Sequence, residues 1–408
     1  MKHISLKNSK KFALISKDKN KIHLNKKIAS YFFFREPIVH GINLLINGLV
    51  NFCHKKKNYL IEGVKINFNN FCLNNENFSY KIKNQSFQIF SKLNVKLNAN
   101  IKFKSDNKKK PNIKKLNSLS KKILNFYHIK SSDKSVTFFS FLSHLIFISK
   151  KIGNFNQKEN CLIHSIISEA NESSKTNLEF FKTKKIIKNV FQADIDNYGY
   201  RSKVVFSKLI KLKLNLKKFT LDKNTLKKIN NKKILIFGAT GDVSRALIYF
   251  LKKSNAKIYK YSLKKKIKYL TLKNFIVSKK PDFIFYFSSP PIINDKDKNN
   301  YILKKYNEVY FDKFKTVLNI LQKNKFRSKV FYPSTFALQE KSKYKRIYNY
   351  LAAKQNGESL CKSHDYKKYI YCFRLPAYKS KSNYNMLGFY GGEELYKLKK
   401  YLKVFFNR

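Results

Sequence analysis

Residues 233–244 read Lys-Ile-Leu-Ile-Phe-Gly-Ala-Thr-Gly-Asp-Val-Ser. An apolar run that ends at Gly238 and reopens as helix-compatible sequence after Gly241 predicts a buried strand feeding a helix through a tight turn. Such a turn presents backbone N–H groups and a helix N-terminus, the donors that can seat a pyrophosphate. From residue 231 onward the pattern alternates, with predicted strands at 233–237, 256–261, 283–287, 329–332 and 370–374. Helices are predicted at 242–252, near Leu272, at 306–322 and at 350–363. Strand and helix in alternation imply a doubly wound parallel sheet.

The rest of the chain has a different rhythm. A short polar loop from Phe12, an apolar helix at 38–52 and strand-like alternation (64–68) are followed by a Lys/Asn/Ser-rich linker at 105–120. A second apolar helix near 138–148 then precedes strand-like pieces at 161–168, 187–194 and 202–210. A helix followed by antiparallel strands, twice, predicts duplicated α+β units. The expected domains are therefore 1–120, 121–230 and 231–408.

A formal charge of +63 points first to nucleic acid. However, 80 of the 87 basic residues are lysine, and they are spread over the whole length. Nucleic-acid binders exploit the arginine fork, so the charge reads as bias of an AT-rich genome, and no nucleic-acid partner is expected. Five cysteines without a C-x-x-C pair imply neither a disulfide framework nor a metal site. The amino-terminal stretch lacks an apolar signal core, and 136–148 is too short for a membrane span. The expectation is a cytoplasmic protein.

In the third block, Gly238-Ala-Thr-Gly241 follows one strand and Ser289 ends another. Val330-Phe-Tyr-Pro-Ser-Thr335 ends a third in hydroxyls, and Tyr350-Leu-Ala-Ala-Lys354 opens a helix. Tyr-x-x-x-Lys alone arises about five times by chance in so lysine-rich a chain, so the weight lies in the order of the motifs. Together they resemble the short-chain dehydrogenase/reductase superfamily, nearest to its extended, epimerase-like branch. The resemblance implies a Rossmann-type fold and an NAD(P) cofactor at Gly238, Thr240, Gly241, Asp242, Val243, Ser289 and Lys354. It also implies Tyr350 as general acid/base, with Lys354 lowering its pKa, and Ser334 or Thr335 on the reacting oxygen. Asn307 matches a position often Asn in the family, and Ser244 stands where the family has a third glycine. Ser262 and Lys264 to Lys266 could meet a phosphate, which gives NADP a slight preference over NAD. Only 34 residues follow Arg374, which disfavours a sugar-nucleotide epimerase or dehydratase, the alternative for the same residues.

Near the amino terminus, Ser16, Asp18, Asn20, Ile22, His23 and Ala29 stand in a spacing that is completed by Pro37-Ile-Val-His-Gly41. An Asp and a His five residues apart ahead of a buried helix could orient and deprotonate a water. The string resembles the signature of MaoC-like, (R)-specific enoyl-thioester hydratases and dehydratases of the hot-dog fold. It departs from that signature in having Lys17 for a glycine and Lys21 for a proline. The second block, including His164, resembles the partner half of a double hot-dog without a second Asp/His pair, and His164 reads as structural. The resemblance implies Asp18 and His23 as catalytic and Asn20, His40 and Gly41 as substrate-binding, with the helix N-terminus near Gly41 polarising a thioester carbonyl.

The expected fold is thus an α+β double hot-dog followed by an α/β Rossmann-type doubly wound parallel sheet. The implied activity is bifunctional, acting on acyl-CoA or on substrate held by an acyl carrier protein: 3-oxoacyl/3-hydroxyacyl oxidoreduction, and 3-hydroxyacyl dehydration or enoyl hydration. Chemistry of this kind serves fatty acid or polyketide metabolism. A homodimer is compatible with this reading. The remaining alternatives are a degenerate acyl-carrier docking scaffold and a nucleic-acid groove.

Overall fold

The computed structural model describes all residues except 1, 33, 35, 55–58, 92–93, 106–117, 130–135, 156–159, 172–178, 213–214, 263–268, 291, 293–299, 345–346 and 385–390. The chain divides into two compact units, residues 1–211 with a short segment at 384–389, and the remainder from 212. This boundary falls ahead of residue 231, where the strand–helix alternation begins.

The first unit opens with helix α1 (Leu6–Ser16), where a polar loop was expected from Phe12. Its start is capped by the Ser5 hydroxyl, which accepts from Asn8 N. After the short α2 (Lys26–Ala29) comes α3 (Gly41–His54), whose Ile42, Leu45, Ile46 and Leu49 are buried. Four antiparallel strands follow: β1 (Tyr59–Phe68), β2 (Ser79–Lys83), β3 (Ser86–Ser91) and β4 (Asn94–Ser105). The plan repeats with α4 (Ser118–Tyr127) and α5 (Val136–Gly153), then β5 (Asn160–Ala170), β6 (Phe180–Ile187), β7 (Val190–Asn197) and β8 (Tyr200–Leu209). The piece expected as one strand at 187–194 is a hairpin, because the chain turns at Lys188-Asn189.

The eight strands form one sheet in the order β2-β3-β4-β1-β5-β8-β7-β6. Each half therefore contributes the same four-strand path, and the two meet where β1 and β5 pair antiparallel, from Gly63↔Glu169 to Asn67↔Ser165. The expected domains 1–120 and 121–230 are in this sense halves of one sheet. Alternate residues such as Phe87, Ile89, Leu97, Ala99, Ile166, Ala193, Ile195, Val204 and Phe206 join the α3 and α5 side chains in a single core. That period-2 burial also sets the register, since a one-residue slip would turn every one of these side chains to solvent.

The second unit begins with α6 (Lys223–Ile229), capped by Asp222. It continues β9 (Lys233–Phe237), α7 (Asp242–Leu251), β10 (Lys257–Tyr261), α8 (Tyr269–Lys279), β11 (Phe283–Tyr286) and α9 (Asn300–Asn307). Then come α10 (Lys313–Lys323), β12 (Lys329–Thr335), α11 (Tyr348–Ser363), β13 (Ile370–Leu375) and α12 (Lys399–Asn407). The helix expected at 306–322 is interrupted by a π turn over Glu308–Asp312. All five strands are parallel, in the order β10-β9-β11-β12-β13. Ile234, Ile236, Phe283, Phe285 and Phe331 pack against α7 and α12 on one face. Leu235, Phe237, Ile284, Tyr286, Val330 and Tyr332 pack against α8, α10 and α11 on the other. Strands buried on both faces explain the near-continuous apolar runs in the sequence. This is a Rossmann-like α/β unit, and no helix among the described residues is long and apolar enough to cross a membrane.

Candidate functional sites

In an open parallel sheet the ligand crevice lies beyond the carboxyl ends of the strands where the strand order reverses. Here that point is between β9 and β11. Gly238, directly after β9, has φ +74, and a Cβ there would lie 2.7 Å from Phe287 O and 2.8 Å from Ser288 Cα. Only glycine fits both the conformation and the approach of the two backbones. Gly241 N donates to Gly238 O at 3.0 Å, and Gly241 is the N-cap of α7. Ser244, in place of the third glycine, donates its hydroxyl to Gly238 O at 2.9 Å. The substitution thus clasps the turn from inside the helix.

Thr240 is exposed on the turn and Val243 is half-buried. The Asp242 carboxylate accepts from Lys381 N at 2.7 Å, with Arg245 3.8 Å away. A turn closed to a Cβ at Gly238, leading into a helix N-terminus, fits a dinucleotide pyrophosphate. Ser262 follows β10, whereas Lys264 to Lys266 lie outside the described residues.

The ends of β11 and β12 bring the hydroxyls together. Ser289 Oγ lies 2.6 Å from the Tyr310 hydroxyl. Thr335 Oγ1 caps the turn at 336–338 and hydrogen-bonds Tyr350, while Ser334 is buried near Glu358. Burial raises the Tyr350 hydroxyl to about 12, against the opposing Thr335 hydrogen bond. Lys354 is buried, donates to Pro333 O at 2.6 Å and sits 3.9 Å above the Tyr310 ring. Burial lowers its pKa to about 7. The expectation that Lys354 depresses Tyr350 is therefore not met in this arrangement: the ammonium is drawn to Pro333 O and the Tyr310 ring, and burial dominates at Tyr350. Asn307 does not join the site, because it pairs with Asn356 Nδ2 at 3.1 Å on an exposed seam between α9 and α11. Tyr310 was not anticipated. It lies on the π turn, a helical irregularity often found at functional sites, and no spacing rule reveals that turn.

The first unit holds the second cluster. Asp18 is buried, and its Oδ1 accepts from Asn20 N at 2.9 Å and its Oδ2 from Ser149 Oγ at 2.8 Å. Burial raises its carboxyl to about 6 against both hydrogen bonds. His23 Nδ1 lies 2.9 Å from Ile38 O. A carbonyl only accepts, so Nδ1 carries the proton and Nε2 is left with a lone pair. Burial lowers this imidazole to about 4. Asn20 caps the turn Lys21–His23 and donates Nδ2 to Cys161 O at 2.7 Å.

His40 stacks on His23 with ring centroids 3.9 Å apart, and neither of its ring nitrogens has a partner among the described residues. Gly41 begins α3 beside Phe68. The three acid–base side chains and Gly41 line one cavity with Phe68, Phe71, Cys72, Ser149 and Cys161–Ile163. Although no metal site was expected, donor atoms of Asp18, His23 and His40 all lie within 4.8 Å of one another.

Lys17 and Lys21 are both exposed. Lys17 adopts φ 56 as the C-cap of α1, the left-handed conformation a glycine would take without strain. Lys21 opens a 3-10 turn, where a proline would also fit. Neither substitution reaches the cavity. His164 pairs with Ser207 Oγ at 2.8 Å across β5 and β8.

No family model and no curated protein matches this chain. Among solved structures, a dTDP-4-dehydrorhamnose reductase from Clostridium acetobutylicum is 17% identical, with a TM-score of 0.28 over 36% of this chain and 54% of its own. A short-chain dehydrogenase from Escherichia coli complexed with NADPH is 10% identical, with a TM-score of 0.35 over 45% of this chain and 93% of its own. A 3-oxoacyl (acyl-carrier-protein) reductase from Agrobacterium tumefaciens with NADP bound is 10% identical, with a TM-score of 0.35 over 45% and 90%. The chain spans about half the length of the first of these.

Proposed function

We propose that the second unit is an NAD(P)-dependent oxidoreductase of the short-chain dehydrogenase type and that the first is a hydratase/dehydratase of the double hot-dog type. Both would act on acyl thioesters of coenzyme A or an acyl carrier protein. The observation that carries the reductase reading is convergence at the sheet's switch point. The Gly238 turn, Ser289, Thr335, Tyr350 and Lys354 all stand at the carboxyl ends of β9, β11 and β12 or on the helix that follows. Gly238, Gly241 and the first turn of α7 would hold the pyrophosphate, with Thr240 and Val243 beside it. A bound nicotinamide supplies or accepts the hydride.

The chain's own residues handle the proton. With its hydroxyl at about 12, Tyr350 is protonated at neutral pH, so it acts as an acid toward a developing alkoxide. In reduction it would give this proton to the oxygen of the 3-oxo group, and in oxidation of the alcohol it would take it back. Thr335, bonded to Tyr350, orients that hydroxyl.

In the first unit, His23 Nε2 is the base that takes the C2 proton. Asp18 in its protonated form, which burial favours, supplies the proton that leaves with the C3 hydroxyl as water, and the proton taken by His23 passes back to the Asp18 carboxylate before the next turnover. The C2–H electrons form the double bond as the C3–O bond breaks. Hydration is the same path reversed.

The test is the full chain with acetoacetyl thioester and NADPH or NADH, followed at the nicotinamide band, and separately with (R)-3-hydroxybutyryl thioester, followed at the enoyl band. Tyr350→Phe should slow reduction by about 100-fold or more while dehydration persists. Wild-type protein without reduction, or reduction indifferent to Tyr350→Phe, refutes the reductase reading. Dehydration unaffected by Asp18→Asn refutes the other.

A further inference from the structure

His40, expected only to bind substrate, has no part in the proton transfers assigned to Asp18 and His23, and its surroundings define a task for it. Three donor atoms no more than 4.8 Å apart pairwise can all be reached from a single point about 2.8 Å from each, which is the length of a hydrogen bond to oxygen. One oxygen atom of a ligand in the cavity that Asp18, His23 and His40 line could therefore contact all three groups. His40 is 1% exposed, and neither ring nitrogen has a partner among the described residues. Leaving a buried polar group unsatisfied costs about 1–3 kcal/mol, so the ring is suited to a ligand that brings a hydrogen-bonding atom. His23 holds the ring by stacking at 3.9 Å, with the two planes inclined by 25°.

We propose that His40 is a third catalytic residue, which donates a ring N–H to the C3 oxygen as it leaves in dehydration or enters in hydration. The inference rests on the hydratase/dehydratase reading of this unit. In the elimination His23 Nε2 takes the C2 proton and Asp18 gives its proton to the C3 oxygen. His40 N–H hydrogen-bonds that oxygen while the C3–O electron pair departs with it, and the product water rests among the three groups. No proton is gained or lost by His40. A neutral ring suffices, and burial keeps it neutral.

The test compares two substrates that differ only in how much help the leaving group needs: (R)-3-hydroxybutyryl thioester and its 3-chloro analogue. His40→Phe keeps a ring to stack on His23 but removes the N–H. Its kcat for loss of water should fall about 100-fold, the scale of one lost transition-state donor, with KM little changed. Elimination of chloride, which needs no proton, should stay within about fivefold of wild type. His40→Gln, which restores a donor, should recover at least about tenfold of the loss. Equal losses on both substrates would make His40 a structural residue and overturn the proposal. So would an unaffected rate, or an activity abolished by a chelator and restored by zinc, because the three side chains would then hold a metal. Wild-type protein inactive on both substrates would remove the underlying reading together with this one, whereas an active wild type with an indifferent His40→Phe removes only the proposal.

Discussion

Gly153→Ala strikes the Asp18 site from the far side of the cavity. A Cβ on Gly153 would lie 1.8 Å from Asp18 Oδ1, 2.2 Å from Cγ and 2.6 Å from Oδ2, while real Cβ contacts essentially never fall below 3.0 Å. The carboxylate has to retreat by about 1.2 Å, toward the cavity that Asp18 and Gly153 both line. Retreat breaks or stretches the bonds from Asn20 N and Ser149 Oγ, at 2.9 and 2.8 Å. Hydrogen bonds to a charged group are worth about 1.5–3 kcal/mol each, so the variant should lose about 2–4 kcal/mol of stability. An acid displaced by about an ångström should cost on the order of 100-fold in dehydration rate. The assay is enoyl formation from (R)-3-hydroxybutyryl thioester, with acetoacetyl thioester reduction by the same preparation reporting on the second unit. Dehydration within about threefold of wild type at an unchanged melting temperature would refute the reasoning, since it would mean that the carboxylate is not pinned against α5.

Three further outcomes follow from burial and backbone geometry. Asp18 is raised from 3.8 to about 6, so between those pH values the folded chain keeps a proton that the unfolded chain has released, and stability falls as pH rises through the window by on the order of 3 kcal/mol. Urea unfolding of Asp18→Asn should lack this slope and exceed wild type in stability above about pH 6. Lys354 shifts the opposite way, from 10.5 to about 7: the unfolded chain holds the extra proton between those values, so this group makes stability rise with pH there. Lys354→Met should be the more stable protein at pH 7, with the difference from wild type shrinking toward pH 10 and the reductase activity lost. Lys17→Gly should relieve the φ 56 strain at the end of α1, adding about 1 kcal/mol in thermal or urea unfolding without changing either rate.

The five strands of the parallel unit were legible, because strands buried on both faces read as apolar runs and the Gly238 turn announces its own geometry, whereas α6 and α12 at the unit's two ends were not foreseen. Nor was the π turn, since the i→i+5 bonding at Glu308–Asp312 leaves no periodic trace. Tyr310, which receives the Lys354 ammonium on its ring, was missed with it. In the first unit, Asp18, His23 and His40 were singled out by the resemblance of their stretch to a hydratase signature, and the fold brings the three side chains to one cavity. Ser149, Gly153 and Cys161, which fix Asp18 and Asn20, stand more than 130 positions away. No local pattern encodes them, because they come into play only when the second half folds onto the first.

The cavity of the first unit accordingly draws on both halves of the sheet. The two halves share a four-strand path and meet at β1 and β5, yet their contributions to the cavity differ. The first half supplies Asp18, His23, His40 and the start of α3. The second supplies Ser149 and Gly153 from α5 and the Cys161 carbonyl from β5. A side chain at 153 would expel the carboxylate, and the loss of Ser149 would leave Oδ2 without its donor, so the second half is constrained by what the first half's acid requires. The same half carries His164 bonded to Ser207, within its own strands, in place of a second acid–base loop. The placement of the amino-terminal loop that carries Asp18 and Asn20 therefore depends on the fold of residues 136–170.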